Sequence, residues 1–203
     1  MHLKVLTEQQ QKLLPLLETF SDQYGLIGGT ALALQLGHRE SVDFDLITAE
    51  KLNVDGISNT IRKKHAIDQV LVQNSNEYTL LVEGVKLTFL HFPFSIKFAT
   101  SLPQVILMPD LLTLAAMKAY ALGRRAKWKD YVDLFFVFRQ HSFAQVVAQA
   151  KSIFASEFSE KLFRQQLSYF ADIDYSEEVR YLQDQEVSDE QVKQELMRLS
   201  LEK

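Results

Sequence analysis

Asp43 and Asp45 stand one residue apart in the apolar run VDFDLIT, and on a strand both project from the same face. A carboxylate is costly to bury unless a metal ion, a cation or hydrogen bonds compensate it. Residues i and i+2 lie roughly 7 Å apart along a strand, so this pair can grip one pair of cations from one side. Hard carboxylate oxygens suit Mg2+, which takes one or two of them together with waters and substrate phosphates. Two such ions can activate an attacking oxygen and stabilise a leaving one in phosphoryl or nucleotidyl transfer. Just upstream, Gly28 and Gly29 end the short run YGLI and let backbone amides approach a phosphate without a Cβ in the way. Thr30 then opens a helix, where free N–H groups and the dipole favour an anion. Taken singly, these features also suit a solvated edge strand and a turn. Their joint order is more specific: strand, Gly-Gly-Thr, short helix, His-Arg-Glu-Ser, acidic strand.

The elements that position these residues follow from periodicity. Thr7 with Gln10 resembles a capping box, and Leu13, Leu14, Leu17 and Phe20 recur at helical spacing, which predicts a first helix of roughly four turns. YGLIGG reads as a short strand, TALALQLG as a helix closed by Gly37, and VDFDLIT as a strand with Val42, Phe44 and Leu46 on the face opposite the aspartates. NVDGISNTIRKKH is helical, while IDQVLVQ and YTLLVEGVKLTFLHF are strands broken by the turn signals NSNE and EGV. Beyond Pro109, a good helix-start residue, four successive stretches carry helix periodicity, and Ser188 with Gln191 caps a final acidic helix. The expected fold class is therefore α+β: a mixed α/β half over residues 1–100 and a helical half over 101–203, with FATSLPQVILMPD as the seam.

Bulk composition narrows the function classes. The 203 residues suffice for one large domain or two small ones, and 47% hydrophobic with 24% charged residues is ordinary for a soluble globular protein. With no cysteine, disulfides and thiolate metal sites are excluded. The N-terminus lacks a signal-peptide apolar block, and no segment approaches the ~20 apolar residues of a membrane span, so a cytoplasmic protein is expected. The net charge of -4 argues against a nucleic-acid-coated protein, but ten of the 26 acidic residues lie from Asp172 onward. The remainder is slightly basic, and KAYALGRRAKWK holds five cations, Lys118, Arg124, Arg125, Lys127 and Lys129. Such a cluster can hold phosphates or form a solvated helix face.

The segment GGTALALQLGHRESVDFDL resembles the glycine-glycine and paired-aspartate motifs of the DNA-polymerase-β-like nucleotidyltransferase superfamily. More narrowly it resembles the AbiEii-type branch, which includes toxins of type IV toxin–antitoxin and abortive-infection systems. That branch has a later helical motif, matched here by MPDLLTLAAMKAYALGRRAKWKDYVDL with Lys118, Arg125, Lys129, Asp130 and Asp133. The resemblance covers Gly25 to Leu134 and implies a polymerase-β-like sheet with flanking helices. It implies that Gly28, Gly29 and Thr30 touch nucleotide phosphates and that Asp43 and Asp45 bind Mg2+. Arg39, Ser41 and Arg125 would support the phosphates or the acidic strand. Lys118 would pair with the triphosphate, and Asp130 would act near that lysine or as a base. Lys118 lies among Leu114, Ala115, Ala119 and Leu122, which favours partial burial and a role. The implied reaction is transfer of a nucleoside monophosphate from NTP to an acceptor, foremost RNA such as a tRNA end and next a protein hydroxyl; the branch also makes an antitoxin a possible partner.

One feature departs from the superfamily, whose enzymes often carry a third carboxylate on a later strand. VKLTFLHF, the expected counterpart, contains no acid; Thr88 or His91 occupies the region, and Glu83 precedes the turn. That departure supports the competing reading, a catalytically inactive relative that binds nucleotide or a partner protein. Elsewhere, His38 is expected at a loop surface, and His65 and His141 near helix C-termini. Arg124, Lys127 and Lys129 are expected to face solvent or RNA. Trp128, Tyr131, Phe135, Phe136 and Phe138 are expected to form a packing face rather than a base-stacking platform.

Overall fold

In the computed structural model, which describes residues 1–122, 124–182 and 184–202, Thr7 forms the expected capping box with Gln10. The helix it starts is not continuous, however. It divides into α1 (Glu8–Lys12) and α2 (Leu14–Glu18), because Pro15 in the first turn of α2 lacks an N–H and its ring interrupts regular helix geometry. The apolar spacing survives the break, and Leu13, Leu16, Leu17 and Phe20 are all buried.

Five strands, β1 (Gly25–Ile27), β2 (Asp43–Thr48), β3 (Ile67–Gln73), β4 (Glu77–Val82) and β5 (Val85–His91), form one sheet in the order β1-β2-β5-β4-β3. β2 and β5 run parallel and the other pairs antiparallel. A parallel return needs a long crossover. Here it comprises α4 (Val54–Arg62) and the β3–β4 hairpin. Alternation along β2 buries Phe44 and Leu46 completely while leaving Asp43 and Asp45 at the opposite face. Val42, expected on the buried side, precedes the strand and is exposed. Between β1 and β2 lies α3 (Gly28–Leu36), ended by Gly37 at φ 68, a left-handed cap that glycine adopts without penalty.

The seam residues form a two-stranded sheet, β6 (Thr100–Leu102) with β7 (Ile106–Met108). Among the described residues the α-helices that follow are α5 (Leu111–Leu122), α6 (Trp128–Val137), α7 (Phe143–Phe154), α8 (Glu160–Ser168) and α9 (Asp189–Ser200). Asp110 rather than Pro109 starts α5, its carboxylate accepting from the Thr113 N–H at 2.8 Å. Capping boxes open α7 at Ser142 and α9 at Ser188. One hydrophobic cluster joins Leu32 and Phe89 of the first half to Leu114, Tyr131 and Phe154 of the second, with α3 packed between the sheet and α5 and α6. Trp128, Tyr131, Phe135 and Phe136 are buried in it and Phe138 packs against it. Among the described residues no helix is long and apolar enough to cross a membrane.

Candidate functional site

At the end of β1 the chain turns into α3 through Gly28, whose φ of 75 lies in the left-handed region. A Cβ at this position would collide with Asp45 Oδ2, so the glycine both makes the turn and lets the carboxylate rest on it. A Cβ on Gly29 would lie 2.7 Å from Arg39 Nη2. Thr30 is buried, and its hydroxyl donates to the Asp43 carbonyl and shares a 2.7 Å hydrogen bond with Ser41 Oγ. Gln10 Nε2 donates to that same carbonyl at 3.3 Å. Thr30, Ser41 and Gln10 thus anchor the start of β2. The Thr30 side chain is spent on the protein, while Gly29, Ser41, Asp43 and Asp45 line one polar cleft.

The opposite wall comes from the helical half. Lys118 of α5 is ion-paired to Asp130 and lies 2.9 Å from Asp133 Oδ2, both on α6. Arg125 reaches Asp130 Oδ2 from the outside at 2.9 Å. Asp133, wholly buried, also accepts two hydrogen bonds from Arg39, at 2.7 and 2.9 Å, and faces His38 Nε2 at 2.8 Å. Arg39 is therefore a buried strut between the link preceding β2 and α6. Its lock onto Asp133 leaves it no room to yield to a side chain at position 29. Contrary to the surface position expected, His38 is fully buried; Asp133 pairs with its Nε2, while Nδ1 has no hydrogen-bond partner among the described residues.

Charge sets the protonation states here. Burial alone would push Asp130 up, but Lys118 and Arg125 hold it below the ordinary carboxylate range. Asp133 is likewise held well below that range by Arg39 and Lys118 against its burial. Lys118 keeps its proton: burial opposes the charge, and Asp130 and Asp133 outweigh it. Burial pushes His38 down and keeps it neutral despite Asp133. Asp45 differs from the other acids. Burial first, then the charge of Asp43, pushes its carboxyl up, and the cations nearby only partly offset this. Among the described residues no three His, Cys, Asp or Glu side chains are grouped to hold a metal by themselves. The donor set is instead two hard carboxylates, one of them short of counter-charge, which fits a divalent cation completed by water and substrate oxygens.

Several contributors lay beyond sequence reasoning. The parallel register sets Lys86 opposite Asp43 and Thr88 opposite Asp45. Lys86 Nζ is 2.7 Å from Asp43 Oδ2, so a cation stands beside the pair on the strand expected to carry a third acid in the superfamily. The alternation of Lys86 with Thr88 put them on one face, but only the strand order shows that this face meets the aspartates. Lys127 and Lys129, expected to face solvent or RNA, pair with Glu177 at the rim of the same cleft. Arg124 covers the Tyr120 ring at 3.6 Å, outside the cleft. His65 pairs with Glu83 at 2.8 Å, far from this chemistry.

No family model matches the chain. In sequence it is 32% identical over 127 residues to the protein aq_aa25 of Aquifex aeolicus (strain VF5), a match covering 59% of this chain and 60% of that relative's length. MenT4, the nucleotidyltransferase toxin Rv2826c from Mycobacterium tuberculosis H37Rv, superposes with a TM-score of 0.66 over 95% of this chain and 80% of its own, at 14% identity. The chain has a nucleotidyltransferase fold. JHP933 from Helicobacter pylori shares it at a TM-score of 0.57 and 18% identity, over 96% of this chain and 91% of its own. The antibiotic-resistance factor ANT(2'')-Ia reaches 0.50 at 10% identity, over 72% and 92%. Within this nucleotidyltransferase fold, the acid pair on β2 faces Lys118 and Asp130 across one cleft.

Proposed function

We propose that the chain is a nucleotidyltransferase that moves a nucleoside monophosphate from NTP to an acceptor hydroxyl and releases pyrophosphate. One observation carries this reading: Asp43 and Asp45, the Gly28–Gly29 turn, and the Lys118–Asp130 pair come from distant parts of the sequence and meet at one polar cleft. In the reaction an acceptor oxygen attacks the α-phosphorus, the bond to the bridging oxygen breaks, and the acceptor proton passes to a base. Mg2+ held by Asp43 and Asp45 would supply charge neutralisation to attacking and leaving oxygens. The first-turn amides of α3 beside Gly29, which lines the cleft, would orient phosphate oxygens. Lys118 and Arg125 supply positive charge towards the departing pyrophosphate, while Asp130 aims them.

The AbiEii-type resemblance and the likeness to the MenT4 toxin support a toxin of a toxin–antitoxin or abortive-infection system, acting in the cytoplasm on RNA such as a tRNA end and held by an antitoxin. The test incubates the protein with each labelled NTP, Mg2+ and total RNA, and label should enter RNA. Lys86 beside Asp43, in place of a third acid, favours a second reading, a nucleotide-binding protein without transfer activity. NTP binding with no labelled product from any acceptor would select it. Asp43→Asn with Asp45→Asn should abolish the metal-dependent part of NTP binding with the fold intact; unchanged binding would remove the metal assignment.

A further inference from the structure

Lys127, at the N-cap of α6, and Lys129, in its first turn, converge on one carboxylate. Lys127 Nζ is ion-paired to Glu177 Oε1, and Lys129 Nζ lies 3.3 Å from Glu177 Oε2. All three line the cleft that holds Asp43, Asp45 and Lys118. Glu177 reaches them from an irregular strap fastened at two ends. At one end the Asp174 N–H donates to Ala126 O at 2.7 Å, and the Trp128 N–H donates back to Asp174 O at 3.0 Å. At the other, the Glu40 N–H donates to Arg180 O at 2.8 Å and the Leu182 N–H to His38 O at 3.1 Å. Neither fastening uses Glu177. Its side chain and that of Lys127 are each more than a third exposed, where an ion pair adds little to stability. Two ammoniums thus share the two oxygens of one carboxylate at the rim of the cleft.

We propose that Lys127 and Lys129 form a subsite for a pyrophosphate group and that Glu177 is its built-in competitor, released when a more highly charged anion arrives. This deepens the nucleotidyltransferase reading and rests on it for the nucleotide, but not for inorganic pyrophosphate. A pyrophosphate offers more charge and more oxygens than a carboxylate and so displaces it. The strap can give up Glu177 while both fastenings stay in place.

The experiment is calorimetric titration of the full chain with inorganic pyrophosphate, and separately with Mg·NTP and an RNA oligonucleotide. Glu177→Gln should bind pyrophosphate about five- to tenfold more tightly than wild type, with a melting temperature within a few degrees of it. Adding Lys127→Ala and Lys129→Ala to Glu177→Gln should abolish that gain. Unchanged or weaker pyrophosphate binding by Glu177→Gln would overturn the proposal. So would a gain that survives loss of both lysines, or a gain seen only with RNA, which would assign the lysines to the acceptor. If Glu177→Gln tightens pyrophosphate while no form binds NTP, the subsite stands and the nucleotidyltransferase reading fails.

Discussion

Asp45 is held at a cost to the empty protein. Its carboxyl is pushed up by burial and by Asp43, so the folded chain binds that proton more tightly than the unfolded chain does. The contribution to stability is full below the ordinary carboxylate range and lost as pH rises through the raised value. Asp45→Asn should therefore flatten that pH dependence and raise the metal-free melting temperature near neutrality, by about 2–4 °C for each kcal/mol recovered. A melting temperature below wild type would show that the carboxylate is satisfied by contacts rather than strained by burial. Lys118 makes the complementary case. Lys118→Ala at saturating NTP should slow single-turnover transfer by orders of magnitude while weakening NTP binding less, since its interaction strengthens as charge builds on the leaving group. Lys118→Arg should rescue poorly, because a planar fork replaces a compact charge between Asp130 and Asp133. Equal rates for wild type and Lys118→Ala would refute the role.

At the scale of elements, the decisive fact is that β5 lies parallel to β2. The register hands Lys86 to Asp43, and this ammonium competes with any metal for the carboxylate. Lys86→Met should strengthen Mn2+ or Mg2+ binding by about tenfold, equivalent to ~1.4 kcal/mol, measured by titration in the absence of nucleotide. Weaker metal binding would mean that Lys86 shapes the site rather than competing in it. The same elements mark how far the sequence could be read. Period-two alternation told that Asp43 and Asp45 share a face, and the Gly28–Gly29 turn was legible because few other residues allow that geometry. The interrupted first helix was readable from Pro15 but masked by a strong apolar period. Strand order was not legible, because two strands can each be recognised without showing that they are neighbours; hence Lys86 was missed. Nor could His38 be placed, since its burial depends on Asp133, 95 residues away. Glu177 sits on a strap with no periodicity to read.

Across the whole molecule, Asp133 is where the two halves are joined by charge. Arg39 and Lys118 hold its carboxyl well below the ordinary range against its burial. A lowered value means that its contribution is full above that range and disappears only as pH falls through the lowered value. Asp133→Ala leaves Arg39 and Lys118 buried without their shared partner, and should cost about 3–5 kcal/mol in urea unfolding. The penalty should persist at mildly acidic pH, where an exposed ion pair would already be fading. A loss below about 1 kcal/mol would show that water replaces the carboxylate freely.

Because Arg39 is paired to a carboxylate on α6, and Asp133 finds its cations on α5 and ahead of β2, each half is an incomplete electrolyte without the other. Cutting the chain in the stretch between β5 and β6 should therefore yield two pieces that are poorly soluble alone. Mixed together, they should refold as a complementing pair. The same charges would act as a proofreading contact in that reassembly: a second piece carrying Asp133→Asn should fail to rescue its partner, while Lys161→Ala, at an exposed position of the same piece, should rescue it fully. Reconstitution followed by size-exclusion chromatography would read this directly, turning a buried acid into the address label by which two fragments recognise each other.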